Sequence, residues 1–375
     1  MASLSSIENP AVGIVANPAS GRDVRRLVAK ASVFHTTEKC NMVQRALTAM
    51  ASCGVRSAVM TRDLGGIAAG VVRAMEAHRS QTPNPWPRVL FLDLPIEDSA
   101  QDSVRAVEHM LELGVAVVVV LGGDGTHRVI ASRCGSVPLV ALSTGTNNAF
   151  PEIREATIAG LAAGLVAVGA VPRELATVRN KLLRVRMNDE MRDLALVDVC
   201  ASNDAWTGAR ALWRAEDLTE LFVTTAKADA IGLSAIAGLI APVEREAPRG
   251  VRLKLCPAGQ GIITVRAPIA PGLIARVGIA EVSPIYPGKE CALCSDRGVL
   301  ALDGEREIEF GPDDRLSVSL ELDGPVTVDI ASVMKLAAQR GLFAEAAAAP
   351  APALARSWSR EGEGAIAAKP ANTSN

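Results

Sequence analysis

The chain has 375 residues, 39 Lys and Arg against 41 Asp and Glu, a formal net charge of −2 and 49% hydrophobic residues. That length suits two domains, or one large α/β unit with a tail, and the near-neutral balance excludes the basic footprint of a nucleic-acid binder. Aromatic residues make up 3%, with a single Tyr, which excludes aromatic platforms for stacking bases or sugars.

In chain order, Val12 to Ala16 predicts a buried strand, followed by the small polar run Asn17-Pro-Ala-Ser-Gly21. Val24, Leu27, Val28 and Ala31 recur at helical spacing, so a strand–turn–helix unit opens the protein. Val55 to Met60 and Val89 to Leu94 predict further strands, with the proline-rich loop Gln81 to Pro87 between them. Val104, Val107, Met110 and Leu111 mark an amphipathic helix that stops at Gly114. Val115 to Leu121 is apolar on both faces, as a central parallel strand covered by helices would be. It runs into Gly122-Gly-Asp-Gly-Thr126 and a short helix, and Val137 to Leu142 predicts one more strand ending in Ser143-Thr-Gly-Thr-Asn-Asn148. This alternation is that of an open, mostly parallel α/β sheet.

Beyond about residue 175 the pattern changes to short strands separated by turns. They run over Leu182 to Met187, Leu194 to Cys200, Val251 to Leu255, Gly261 to Ala267, Val299 to Leu302, Glu307 to Phe310, Leu316 to Leu322 and Val326 to Ile330. The expected organisation is a flexible start over 1–10, an α/β nucleotide-binding domain over 11–172 and a β-rich, sandwich-like substrate domain over 173–330. A closing helix over 331–343 returns to the first domain, and an Ala/Pro/Ser-rich disordered tail covers 344–375. The seven Cys are scattered and odd in number, unlike a disulfide framework. Cys291-x-x-Cys294 lacks the second pair or His partners that a zinc site wants, and reads instead as two small residues at a strand end in a reducing cytosol. No cationic-then-apolar leader opens the chain, and Ile158 to Val171 and Ala230 to Ala241 are too short to cross a bilayer. A cytoplasmic protein without membrane or nucleic-acid partners is expected.

The chemistry should sit at strand carboxyl ends, where open α/β sheets place ligands. Gly122, Gly123 and Gly125 let the backbone take positive φ and let a phosphate chain approach; Thr126 would cap the next helix, whose N-terminus favours an anion. Asp124 stands between the glycines, where no turn requires a carboxylate, but a metal-bound phosphate or a proton to be removed does. Asn17, Ser20 and Gly21, and Thr144, Gly145, Thr146 and Asn147, form two more loops rich in amide and hydroxyl donors, as phosphate loops are. No G-x-x-x-x-G-K-[ST] and no G-x-G-x-x-G after the first strand are present, which argues against a P-loop NTPase and a Rossmann dehydrogenase. Arg22, Arg25 and Arg26 would steer anions to the first loop or form a solvated helix face.

The Gly-Gly-Asp-Gly-Thr motif, the early Asn-Pro-x-Ser-Gly, the Gly-Thr-x-Asn element and the β-rich second half resemble the superfamily of NAD kinases and diacylglycerol/sphingosine-type lipid kinases. Asn17 to Phe34, and Leu196-Val-Asp-Val through Gly208 to Trp213, resemble the acetoin catabolism protein X branch of NAD-kinase-like proteins. The resemblance covers residues 11 to 343 and implies a two-domain, NAD kinase-like fold with the active site in the interdomain cleft. It implies ATP-dependent phosphoryl transfer with Mg²⁺ to a hydroxyl of NAD or a related small molecule, with Asp124 as base or metal-linked acid, and assembly as a homo-oligomer. By the same resemblance Asp198 keeps the carboxylate of an Asn-Glu/Asp pair that holds adenine and ribose, while Val197 has lost the amide. Thr224 to Ile231 matches a Thr-x-Thr-Gly-Ser-Thr-Ala-Tyr stretch, with Lys227 and Asp229 replacing small residues and Ile231 replacing Tyr. Asp303-Gly304-Glu305 resembles a lipid-kinase turn whose acids assist the metal or the acceptor, and an ordinary hairpin turn fits it as well. Two further readings remain open: a kinase for a lipid or other small alcohol, and a non-catalytic nucleotide-binding regulatory protein linked to acetoin catabolism.

Overall fold

The computed structural model describes residues 7–21, 34–78, 85–145, 148–203 and 214–344. The helix expected at Val24 to Ala31 and nearly all of the tail lie outside them. The first lobe grows around β1 (Ala11–Ala16), which pairs in parallel with β2 (Ser57–Thr61). Helix α1 (Thr36–Ser52) precedes β2, and α2 (Ile67–His78) connects it to β3 (Arg88–Leu92). Helix α3 (Ala100–Glu112) starts at a reciprocal cap between Ser99 and Asp102. It leads to β4 (Val117–Gly122), buried at every position and paired in parallel with β1. Helix α4 (Asp124–Ala131) and β5 (Leu139–Ser143) follow, then α5 (Ala156–Ala167), α6 (Arg173–Ala176) and β6 (Thr177–Arg179).

β4 reads as apolar throughout because both of its faces are covered. Val117, Val119 and Leu121 face the core that holds α1, α2 and α5, while Val118 and Val120 pack with Ala106, Val107 and Met110 of α3 and Ile130 of α4. The Ala/Gly-rich stretch from Ile158 is α5, and its small residues serve packing. A Cβ at Gly160 would lie 2.7 Å from the Ala46 carbonyl, and one at Gly164 2.8 Å from Cys53 Cβ, so only glycine lets α5 lie this close to α1. Among the described residues no helix is long and apolar enough to cross a membrane.

The second lobe holds β7 (Leu182–Met187), β8 (Glu190–Ala195), β9 (Asp198–Ser202) and β10 (Leu218–Val223), then the one-turn α7 (Ser234–Gly238). After these come β11 (Gly250–Cys256), β12 (Ile263–Ala270), β13 (Leu273–Ile285), β14 (Glu290–Ala292), β15 (Gly298–Leu302), β16 (Glu305–Phe310) and β17 (Leu316–Glu321). They form a seven-stranded sheet of order β12-β13-β11-β10-β9-β15-β16 and a four-stranded one of order β14-β17-β7-β8. Leu183, Val185, Val318 and Leu320 of the smaller sheet meet Val199, Phe222, Leu300 and Leu302 of the larger, the shared core of a sandwich. Leu194 to Cys200 is therefore not one strand: the chain changes sheets at Leu196–Val197, between β8 and β9.

The last expected strand of the second lobe belongs to the first. β18 (Val326–Val328) pairs in parallel with β5 and antiparallel with β6, completing a seven-stranded sheet of order β3-β2-β1-β4-β5-β18-β6. Helix α8 (Ile330–Gln339) follows, capped by Asp329, and buries Ile330, Val333 and Ala337 in the first core. The crossing segments are pinned together: the Asn180 N–H and Nδ2 both donate to the Pro325 carbonyl, at 3.0 and 2.7 Å.

Candidate functional site

The loop after β1 is held from three sides. The Asn17 N–H donates to the Leu121 carbonyl at 2.9 Å, its Nδ2 donates to Thr126 Oγ1 at 2.9 Å, and its Oδ1 accepts the Ala19 N–H at 2.8 Å. Ser20 Oγ shares a hydrogen bond with Thr144 Oγ1 at 2.8 Å, which joins this loop to the one after β5. Gly21 has φ +78°, where a side chain is rarely tolerated. Beneath the loop lies Lys39 of α1, 1% exposed, whose Nζ donates to the carbonyls of Asn17, Pro18 and Ser20 at 3.0, 3.0 and 2.7 Å. The sequence reading missed Lys39. The signal was a Lys amid helix positions that otherwise read as core, next to Cys40, Met42 and Val43.

The motif at the end of β4 uses its glycines differently from the expectation. None of Gly122, Gly123 and Gly125 has positive φ; Gly122 and Gly123 are small because neighbours press on them, while Gly125 has Glu305 at ordinary contact distance. A Cβ at Gly122 would lie 2.5 Å from Thr126 Cβ, one at Gly123 3.1 Å from Asn148 Oδ1, and one at Gly125 3.4 Å from Glu305 Oε2. Gly145 is likewise backed by Asn148, 2.5 Å from a would-be Cβ. Nor does Thr126 cap the helix: α4 starts at Asp124 with Gly123 as its N-cap, and the Thr126 hydroxyl is the partner of Asn17. Asp124 is 7% exposed, and its carboxylate accepts the Ala149 N–H (3.2 and 3.0 Å) and the Phe150 N–H (2.9 Å). Asn148 accepts the Asp124 N–H at 3.3 Å and donates to Ser143 Oγ at 2.7 Å. The three loops thus form one hydrogen-bonded platform at the carboxyl ends of β1, β4 and β5. Thr146 and Asn147 lie outside the described residues, as do Arg22, Arg25 and Arg26.

Behind the motif His127 is fully buried, and burial pushes its pKa down to about 4. Its Nδ1 lies 2.8 Å from the Gly123 carbonyl, which can only accept, so the neutral ring carries its proton on Nδ1.

The second lobe closes on this platform with the turn between β15 and β16. Glu305 lies against Gly125, as the Gly125 geometry shows. Asp303, two residues earlier, points the other way. Its carboxylate accepts the N–H groups of Leu196 (3.1 and 3.0 Å), Val197 (2.7 Å) and Asp198 (3.2 Å), which are left without ladder partners where the chain changes sheets. Burial raises its pKa to about 6, against the pull of Arg128 and those N–H groups. Arg128 of α4 also pairs with Asp193 of β8 at 3.1 Å and so joins the lobes. Asp198 is buried at the start of β9, with its carbonyl accepting the Asp303 N–H at 2.9 Å. Asp229 is exposed.

Between the lobes, next to Phe150, a small cleft opens among Ala149, Asn180, Lys181, Thr224, Lys227 and Arg245. Lys181 Nζ donates to the carbonyls of Glu244, Ala247 and Arg249 at 2.9, 2.9 and 2.8 Å. Arg245 Nη2 donates to the Phe150 carbonyl at 3.2 Å, and its guanidinium lies 5.4 Å from the centre of the Phe150 ring. Cys294, far along the second lobe, accepts a hydrogen bond from Arg252 at 3.2 Å. Among the described residues no group of three or more His, Cys, Asp or Glu is placed to hold a metal ion.

Comparison with known proteins follows the two lobes. The ATP-NAD kinase N-terminal domain family matches residues 12–171, and the acetoin catabolism protein X C-terminal domain family matches residues 181–323. The chain is 43% identical over 338 residues to acetoin catabolism protein X of Cupriavidus necator, covering 89% of this chain and 94% of that protein. A crystal structure of yeast NADH kinase complexed with NADH aligns over 92% of this chain and 91% of its own, with 14% identity and a TM-score of 0.48.

Proposed function

The chain belongs to the acetoin catabolism protein X family, and from that membership, its NAD kinase-type first lobe and the loop platform we propose that it transfers a phosphoryl group from ATP to a hydroxyl of a small molecule held between the lobes. The observation that carries this reading is the convergence of three strand-end loops on Asp124. Gly123 and Gly145 let Asn148 close in behind the two loops and join them, and the N-terminus of α4 presents N–H groups at the same edge. Phosphoryl transfer needs such positioning and charge stabilisation more than a covalent nucleophile.

ATP and Mg²⁺ fit this donor set in a particular way. A phosphate chain suits the glycine-backed loops, while the carboxylates at hand, Asp124 and Glu305, come from opposite lobes and make no protein cage. That is the usual situation of Mg²⁺ carried by a nucleotide, with one or two carboxylates completing its shell. When bound, the ion would neutralise phosphate charge. The chain's own part is to fix the phosphates on the loops, to hold Asp124 in one orientation through Ala149 and Phe150, and to present it to the acceptor hydroxyl, whose proton it receives. Glu305 brings the second lobe to the same point.

The test is a panel of acceptors, NAD among them, with radiolabelled ATP and Mg²⁺. Transfer to at least one acceptor, lowered by about 10²-fold or more in Asp124→Asn, is expected. One observation favours a second reading, a nucleotide-binding regulatory role: the Asp124 oxygens already accept three backbone contacts. If ATP raises the melting temperature and no acceptor is labelled, the regulatory role replaces the transferase.

A further inference from the structure

The cleft beside Phe150 has a chemistry of its own. Among its described lining residues, Lys181, Lys227 and Arg245 are cationic, and none is Asp or Glu. The fold fixes Lys181 and Arg245 through side-chain contacts, and exposed Lys227 through its backbone. Lys181 sits over the three carbonyls of the 244–249 segment. Arg245 is fixed by the Phe150 carbonyl and ring, with further N–H donors on its guanidinium. Lys227 is carried by a backbone seated on α7: a Cβ at Gly238 would lie 2.0 Å from the Lys227 carbonyl oxygen, so the lysine's position depends on that glycine.

A second observation points to a ligand. Asn180 is 3% exposed and lines the cleft. Its Nδ2 is fixed in identity because it donates to the Pro325 carbonyl at 2.7 Å and to Thr327 Oγ1 at 3.0 Å. Its Oδ1 is buried without a partner. A buried acceptor left unpaired is costly, and a hydroxyl of a bound molecule would satisfy it.

A third observation limits the ligand. Phe150 is the one aromatic residue among the described lining. The Arg245 guanidinium lies over its ring, and His127 packs beside it at 5.8 Å. Among the described lining residues no aromatic face is left to stack a nucleobase or a nicotinamide.

We propose that this cleft binds the anionic group, carboxylate or phosphate, of a small non-nucleoside alcohol. It is the acceptor side of the site, and this assignment of substrate class rests on the phosphotransfer reading. The connection is short: the N–H groups of Ala149 and Phe150 that hold Asp124 belong to the segment that forms the wall of the cleft. An anion on Lys227 and Arg245, with a hydroxyl on Asn180 Oδ1, leaves a second hydroxyl to reach Asp124.

The experiment is calorimetric titration of the full chain with glycerol 3-phosphate, glycerate, neutral glycerol and NAD, with ATP titrated separately. Saturable binding of the phosphate probe, the carboxylate probe or both is expected, with none for glycerol; which of the two binds identifies the source of the charge. Lys227→Gln should weaken that binding about tenfold, the loss of one charge-assisted contact, and leave ATP binding and the melting temperature unchanged. Arg245→Gln should weaken it as well. The proposal is overturned if glycerol binds as well as the anions, if neither anion binds while ATP does, or if NAD binds and competes with the anions. Anion binding without ATP binding would keep the cleft assignment and overturn the phosphotransfer reading.

Discussion

Two buried lysines, one in each lobe, tie down a loop by the same device: an ammonium seated on three backbone carbonyls. Lys39 holds Asn17, Pro18 and Ser20, all about 20 residues away, inside one lobe and beneath the loop platform. Lys181 holds Glu244, Ala247 and Arg249, more than 60 residues away, at the mouth of the cleft. Burial lowers the Lys181 pKa to about 8, with Arg249 and Arg245 lowering it further and Glu246 and Glu244 raising it. The first lobe thus fixes its loop with local contacts, suited to a constant task such as gripping phosphates. The second builds its lip from distant segments around a cation that titrates near physiological pH. If the reading of the two lobes is right, damage to the first should cost catalysis and stability together, and damage to the second should cost mainly ligand choice.

The largest expected effect is Asp124→Asn. The neutral side chain offers one acceptor oxygen to the Ala149 and Phe150 N–H groups and takes no proton. We expect turnover with the best acceptor to fall by about 10²- to 10⁴-fold, with ATP affinity changed only severalfold by calorimetry. Full turnover would show that the platform merely binds. Lys39→Met comes next. It strands three carbonyls under the Asn17 to Gly21 loop, and a loss on the order of 3 kcal/mol in urea unfolding is expected, with weaker ATP binding because the loop is no longer pinned. An unchanged urea midpoint would remove the contrast drawn between the two lysines.

What the sequence made legible follows from the range of each interaction. β4 was readable because burial on both faces writes an unbroken apolar run, and Asp124 because a carboxylate among glycines is chemically unusual. The reason for the glycines was not readable: Gly122 yields to Thr126 and Gly123 to Asn148, and Gly125 faces Glu305, 180 residues away. Asp303 looked like a turn acid and is instead the partner of three N–H groups at a sheet change that no local pattern marks. β18 was assigned to the wrong lobe because a three-residue strand carries no sign of which sheet it will join. β13, with its alternation broken by exposed residues and by Pro284, went unread altogether. The cleft cations come from Lys181, Lys227 and Arg245, brought together only by folding.

A matched pair of glycine substitutions sharpens the comparison. Gly122→Ala forces a Cβ to within 2.5 Å of Thr126 Cβ, and Gly238→Ala forces one to within 2.0 Å of the Lys227 carbonyl oxygen. Each should cost about 1–3 kcal/mol of stability as an overpacked site. Their ligand effects should separate: the first weakens ATP by pushing Thr126 off Asn17, and the second weakens the anion by moving Lys227. Titration of both variants with both ligands checks this, and loss of both ligands in both variants would mean that the lobes act as one unit.

The smallest expected effect is Lys181→Met at pH 7. The variant loses three hydrogen bonds to carbonyls, but it also sheds the cost of burying an ammonium, the burial that pushes the Lys181 pKa down to about 8. The two nearly cancel, so a change below about 1 kcal/mol is expected in urea unfolding. The pH dependence separates them. Because the folded-state pKa lies below the unfolded value, the unfolded chain binds more protons between about pH 8 and 10.5, and Lys181 adds stability as pH rises through that window. The wild type should therefore gain on Lys181→Met from pH 8 upward, while its affinity for an anion in the cleft falls over the same range as the ammonium is lost. Parallel pH profiles for the two proteins would mean that Lys181 stays charged, and its three carbonyls would then outweigh its burial, as is expected for Lys39.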